Sequence, residues 1–219
     1  TDISDVIAEF IAFEWRADDS PFDQYLRTGE PLPKAANLGM SLFYGKAQCS
    51  TCHAGQFQTD HDFHAIALPQ VGPGKSARFE THARDEGRLR VTGNPADAYK
   101  FRTPSLRNIA QTAPYGHNGA YATLEAMIRH HLDPVASLKA YNVAQLVLPD
   151  LPNSQDFRAT HDPDEQAAIA AANELSPSNL SEMEIIQIVA FLNALSDTAS
   201  LAGKLGVPQT VPSGLPVDQ

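Results

Sequence analysis

The sequence predicts an all-α chain with long irregular connections. Apolar residues recur at helical spacing in several separate segments, the last of these opens on a paired capping signal, and no βαβ pattern is visible. Ile3, Val6, Ile7, Phe10, Ile11 and Phe13 predict a first helix over residues 2–16, with Trp15 read as a core side chain without a role of its own. "DDSPFD" then breaks the pattern, with Pro21 as punctuation. A second helix over 34–45, with Leu38, Leu42 and Phe43 as its apolar face, runs directly into "KAQCSTCHAG". Residues 58–100 carry turn formers and little periodicity, and read as one irregular loop. Loops of that length are usually functional or disordered, and a bound cofactor could order this one. Helices resume over 104–110 and 121–132, and a looser Pro- and Asn-rich stretch covers 133–160. Asp162 caps a helix over 163–175 with Pro163 in its first turn, and Ser181 with Glu184 forms a capping box ahead of the stripe Ile185, Ile188, Val189, Leu192 and Leu195.

At 219 residues the chain can bury a substantial core, and 42% apolar with 19% charged residues is ordinary for a globular protein. A formal charge of −10 disfavours nucleic acid and anionic membrane as partners, because phosphate binding needs clustered Lys and Arg. No apolar run approaches a membrane span, so a soluble chain is expected. The first residues lack the pattern of a secretory leader and look like a helix already in progress, which points to missing upstream sequence.

Cys49, Cys52 and His53 form the C-x-x-C-H run of a c-type haem attachment site, in which two thioethers hold the porphyrin edge and the imidazole binds iron. A thioredoxin-like dithiol would be expected beside a βαβ unit, and a zinc site usually needs four ligands. The chain has 2 cysteines, both inside this motif, and 8 histidines. The histidine that follows the cysteines and the helix that precedes them favour haem. Covalent attachment occurs outside the cytoplasm, which places the protein in the bacterial periplasm. Candidates for the opposite face of the iron are Met40, Met127, Met183, Tyr121, His130 and His131. Each also has an ordinary reading as a packing methionine or as a surface or capping group. Met127 and His131, four apart, share one helix face, and spacing does not separate them.

"SPFDQYL", "LGMSLFYGKAQCSTCHAG", "FHAIALP", "GRLRVTGNPADAYKFRTPSLRNIAQTAPYGHNGAYATLEAMIRHH" and "EIIQIVAFLNALSD" together resemble the bacterial di-haem cytochrome c peroxidases and their MauG-type relatives, over residues 4–197. The resemblance implies two cytochrome-c-like domains with one haem each. The N-terminal haem reacts with hydrogen peroxide, and the C-terminal haem passes electrons to it or, in MauG-type enzymes, shares its oxidising equivalents. This chain resembles the C-terminal half: the end of an inter-domain helix and linker over 1–30, a cytochrome-c-like haem domain over 31–200, and an extended tail over 201–219. The implied function is the electron relay of a peroxidase-type oxidoreductase, with no catalytic residue in this chain. A single-haem electron-transfer cytochrome and a MauG-like protein-modifying enzyme are the alternatives.

The family's distal ligand is Met in the peroxidases and Tyr in MauG. Counted from "TAPYGHNG", its position falls on His131, with Met127 as the alternative. The resemblance also implies a calcium ion on the backbone carbonyls of Thr112 and Pro114. Arg102 and Arg107 flank the "TPSL" turn and are candidates to pair with the haem propionates, with surface salt bridges as their ordinary reading. The resemblance places His64 and His117 near the haem or the domain interface. Expected partners are the N-terminal haem domain, hydrogen peroxide, a cytochrome c or cupredoxin donor, and a second copy in a homodimer.

Overall fold

A computed structural model describes residues 2–72, 82, 84–146, 156–206 and 208–217. Parts of the predicted loop over 58–100 (73–81 and 83) and of the looser stretch (147–155) lie outside the described residues.

The chain opens with α1 (Asp2–Glu14). Its apolar residues do not form a core: Ile3 is 79% exposed, Val6 66% and Phe13 54%. Trp15, expected inside, stands 52% exposed with its ring edge-on to Phe10. The helix is anchored at its C-terminal end, where the buried Glu14 carboxylate accepts hydrogen bonds from the backbone N–H groups of Leu205 and Gly206 at 2.7 and 3.0 Å.

"DDSPFD" starts a helix where the sequence reading placed a break. In α2 (Pro21–Thr28), Ser20 and Asp23 form a reciprocal capping box, Pro21 takes the first turn, and Gly29 closes the helix at φ +77°. The centre of the fold is the crossing of α3 (Lys34–Tyr44) with α9 (Glu182–Asn193). The buried face of α3 is Ala36, Gly39 and Phe43, while Leu38 is 42% exposed. Small residues face α9 because the two backbones touch: a Cβ on Gly39 would lie 1.8 Å from the Gln187 carbonyl oxygen. Phe191, fully buried, is ringed by Phe43 at 5.2 Å, Phe22 at 5.4 Å and Tyr44 at 6.0 Å between centroids. Ile185, Ile188, Leu192 and Leu195 complete this core, with Leu32, Leu106 and Leu180 around it.

The long loop has some regular structure. β1 (Phe63–His64) pairs antiparallel with β2 (Phe101–Arg102), and α4 (Leu89–Thr92) is a single turn between them. The helix expected over 104–110 does not form. Pro104 pushes the residue before it toward extended backbone, and Asn108 turns left-handed at φ 59° before a short 3₁₀ turn over Ile109–Gln111. Asn108 donates to the Ser200 hydroxyl and accepts from the Asp197 N–H, tying this turn to the C-terminal segment. α5 (Leu124–Leu132) starts three residues later than its apolar pattern suggests, because the Thr123 hydroxyl caps it. The looser stretch contains α6 (Pro134–Lys139), capped by Asp133, and α7 (Arg158–His161). α8 (Pro163–Ala171) has the expected Asp162 cap but ends before residue 175, and α10 (Thr198–Ala202) is capped by Asp197.

The close approach at Gly39 gives a direct test. Gly39→Ala forces α3 off α9 and should cost about 3 kcal/mol in urea unfolding, the upper range for overpacking. Gly29→Ala meets open space and carries only the left-handed backbone penalty, so it should cost about 1 kcal/mol.

Candidate functional site

α3 delivers the chain to the cysteine motif. The backbone folds back at once, with Ala47 N–H bonded to Leu42 O and Gln48 N–H to Gly45 O, and Gln48 turns left-handed to begin the 3₁₀ turn Cys49–Thr51. His53 N–H then bonds to Cys49 O at 2.9 Å, so both cysteines and the histidine are held on one tight loop. Lys46, just before the motif, reaches the Glu184 carboxylate at 2.7 Å and fastens the loop to α9.

The next turn sets the His53 ring. Gln58 is buried in a left-handed conformation, and its carbonyl accepts from His53 Nδ1–H at 3.2 Å. Its side chain is locked by the Tyr44 hydroxyl, which donates to Oε1 at 2.6 Å, and by the Gly55 carbonyl, which accepts from Nε2. With Nδ1 protonated and engaged, the neutral imidazole presents its lone pair at Nε2. The sequence reading missed Gln58 and Tyr44. Gln58 acts through its backbone carbonyl and Tyr44 through its hydroxyl on the Gln58 side chain, contacts that no spacing rule displays.

α5 forms the facing wall. His131 Nδ1–H donates to the Met127 carbonyl one turn back at 2.9 Å, which again leaves Nε2 free. The His53 and His131 rings lie 6.4 Å apart between centroids, inclined at 63°. Metal–imidazole bonds run about 2.0–2.1 Å, so two rings sharing one ion through Nε2 in line would have centroids roughly 6.4 Å apart. Burial lowers the His53 pKa to about 4, with His131 nearby adding to the effect, and burial also lowers that of His131. Both rings are therefore neutral at pH 7, the form that binds metal. Two neutral imidazoles with their outer nitrogens tied to carbonyls fit a haem iron. The cysteines fit thioether anchors better than a redox dithiol. Burial pushes the Cys49 thiol up to about 11, and burial together with Asp60 raises that of Cys52, whereas reactive dithiols need a lowered value.

The other candidates are placed differently. Met127 packs into the cluster of Val71, Tyr115, Ala120 and Tyr121, Met40 against the main core, and Met183 is 61% exposed. The Tyr121 hydroxyl is bonded to His130 Nδ1 at 2.8 Å, and His130 is fully buried. His64 bridges Asp60 at 2.8 Å and Glu174 at 3.4 Å, and Cys52, Asp60 and His64 are the one set of three donors close enough for a metal among the described residues. His117 bonds Asp85 at 2.9 Å and stacks on Phe101 at 3.8 Å. Thr112 and Pro114 lie on an exposed turn. Arg102, on β2, is exposed and reaches the Thr103 carbonyl.

Arg107 is committed to protein partners: its guanidinium grips both Asp23 oxygens at 2.5 Å and the Gln56 carbonyl at 2.7 Å, linking α2 to the motif loop. Burial alone would raise the Asp23 pKa, but hydrogen bonds from Arg107 and Ser20 more than offset it and hold it below its ordinary 3.8. A depressed carboxylate contributes stability that is complete above its unfolded value and is lost as pH falls through the folded one. Arg107→Leu should therefore cost about 3 kcal/mol at pH 7, by stranding a buried carboxylate. The deficit against wild type should shrink as the pH is taken below 3.8, as read by urea unfolding across pH.

No protein-family model matches the chain. It is 31% identical over 201 residues to the cytochrome-c peroxidase IdrP1 of Denitromonas iodatirespirans, covering 83% of this chain and 46% of that protein. It is 37% identical over 129 residues to the cytochrome c peroxidase Ccp of Escherichia coli, covering 58% of this chain and 26% of the relative. With the methylamine utilization protein MauG of Methylorubrum extorquens it shares 35% identity over 118 residues, 52% of this chain and 30% of MauG. The chain thus spans less than half the length of these curated relatives. Among solved structures, a MauG-like protein associated with microbial copper homeostasis superposes with a TM-score of 0.60 and 30% identity, over 84% of this chain and 54% of that one. The diheme peroxidase BthA from Burkholderia thailandensis shares the fold at a TM-score of 0.58 and 20% identity, over 84% of this chain and 48% of BthA. In sequence and in fold, the chain is similar to the cytochrome c peroxidases and MauG over most of its own length.

Proposed function

We propose that this chain is the electron-relay haem domain of a di-haem, peroxidase-type oxidoreductase of the periplasm. The observation that carries the reading is the facing pair of neutral imidazoles, His53 and His131, each with Nδ1 bonded to a backbone carbonyl and Nε2 left for iron. Cys49 and Cys52 would anchor haem c covalently, and the bound group supplies reversible one-electron chemistry. With His53 and His131 both on the iron, the site would have no place for peroxide. This chain's residues therefore hold the relay, and peroxide meets a second haem in a domain outside this chain, consistent with a match that covers 46% of the IdrP1 relative.

Two imidazoles donate more strongly than an imidazole and a thioether, so the potential should lie below that of a His/Met site. The exposed apolar face of α1 is where the second domain would pack. The Thr112 and Pro114 carbonyls, on an exposed turn, would offer half of a calcium site completed by that domain. A small cytochrome or cupredoxin would deliver the electrons. Among the described residues, no helix is long and apolar enough to cross a membrane.

Two measurements test this. His131→Gly should turn the low-spin ferric spectrum of the holoprotein high-spin, while Met127→Leu leaves it low-spin. An unchanged spectrum in His131→Gly removes that residue as ligand. On protein from its own host, denaturing mass and a haemochrome assay should give two covalent haems per polypeptide, together with peroxide consumption using a reduced cytochrome. One haem and no consumption would make the chain a simple electron carrier.

A further inference from the structure

α10 follows the last segment that resembles the family, and it gives no side chain to the main core. It is fastened to the body by Asn108, whose Oδ1 accepts from Asp197 N–H at 2.7 Å and whose Nδ2 donates to the Ser200 hydroxyl at 2.8 Å. From there it grips the chain around the end of α1 at two points. Before its first turn, Asp197 Oδ1 accepts from the Ala199 and Ser200 N–H groups, while Oδ2 accepts from Asp18 and Asp19 N–H at 3.0 and 2.9 Å. After its last turn, Leu205 and Gly206 N–H close on the Glu14 carboxylate. Lys204, in the same turn, lies over the Phe13 ring at 5.2 Å. Glu14 and Asp197 are each 3% exposed.

The two points differ in strength. Asp197 is held by four N–H donors and begins a helix already tied to Asn108. Glu14 is held by two, from a turn, and is the one buried residue of α1. A helix of 13 residues is marginal in water without a surface to cover it, so this anchor matters to α1 as a whole. Residues 16–19, between the two points, have no regular structure, and a change of backbone angle there turns the entire helix. Gly203 fits the turn to the carboxylate. It sits at φ +74°, and a Cβ there would lie 2.4 Å from Glu14 Oε1.

We infer that α10 and the turn after it form a two-point clamp that sets the direction in which α1 leaves the haem domain, with Asp197 as the fixed end and Glu14 as the releasable one. With Glu14 seated, α1 is held in one orientation. With Glu14 withdrawn, residues 16–19 become a hinge, and α1 swings and frays while the rest of the domain keeps its fold. The clamp rests on these contacts and not on the haem. Its consequence rests on the function proposed above: where α1 faces the rest of a longer protein, the clamp governs how the second haem approaches this one.

The test is amide hydrogen exchange on the holoprotein, in Glu14→Ala and in Gly203→Ala, which displaces the carboxylate without removing it. Both should speed exchange over residues 2–14 and at Leu205 and Gly206 by more than about tenfold, the scale expected when two hydrogen bonds to a charged group are lost in a local opening. Gly214→Ala carries a comparable left-handed backbone penalty, at φ +70° in open space, and should leave both regions as in wild type. The haem absorption spectrum and the urea midpoint should hold in all three. If α1 exchanges as in wild type once Glu14 is displaced, or if Gly214→Ala has the same effect, the inference falls. It falls too if the urea midpoint drops in step with the exchange, since the contact is then part of the global fold. A count of one haem overturns the relay reading and leaves the clamp standing.

Discussion

The contact on which the rest of the structure depends is the backbone approach of α3 to α9 at Gly39. A missing side chain lets α3 lie against the Gln187 carbonyl, and Phe191 fills the space beside it with Phe22, Phe43 and Tyr44 around its ring. The crossing fixes where α3 ends, and therefore where the cysteine motif begins. It also places Tyr44, the last residue of α3, to lock Gln58, whose carbonyl orients His53. α5 packs on the same core through Leu124, Ile128 and Leu132, which brings His131 to face His53. One helix–helix contact thus sets both walls of the site.

Polar links between distant segments refine that arrangement. Lys46 to Glu184 holds the motif loop to α9, Arg107 joins α2 to the loop at Gln56, and Asn108 with Asp197 fastens the central turn to the C-terminal segment. The Arg107–Asp23 pair is nearly buried, so its energetic weight lies in the penalty for breaking it rather than in net attraction. Such links fix the motif loop against the helices around it, the kind of support that a pre-organised site needs.

The cysteine motif and the helices carrying it were legible because they rest on local rules: ligand spacing, a 3.6-residue period, and Ser181 with Glu184 as a cap. α2 was legible by the same rule, since Ser20 and Asp23 form an equivalent box, but Pro21 was weighed as a breaker when it was the first residue of a helix. The expected helix at 104–110 failed for the opposite reason, since apolar residues there serve a turn governed by Pro104 and the left-handed Asn108. The stripe of α9 was visible, but Phe191 was not singled out as its centre, because the depth of a side chain depends on what crosses above it. On α5, spacing left Met127 and His131 equivalent. Tertiary structure separates them, by packing Met127 into the cluster around Tyr115 and Tyr121 and by using its carbonyl to hold the His131 ring.

The apolar face of α1 is the one sizeable part of the described structure that this chain does not explain from within. Ile3, Val6, Ile7, Phe10, Ile11 and Phe13 are all 44% exposed or more, in a helix held at its C-terminal end by Glu14 and by Lys204 over the Phe13 ring. An amphipathic helix owes most of its stability to what its apolar side covers. Scattered exposed hydrophobics are ordinary, but a continuous row along a helix marks an interaction surface. The chain spans less than half the length of the curated relatives it matches, and on the function proposed above the occupant of this face is the rest of such a protein. The same division suits the proposed chemistry: if His53 and His131 both bound the iron of a haem on Cys49 and Cys52, this domain would pass electrons and leave peroxide to another.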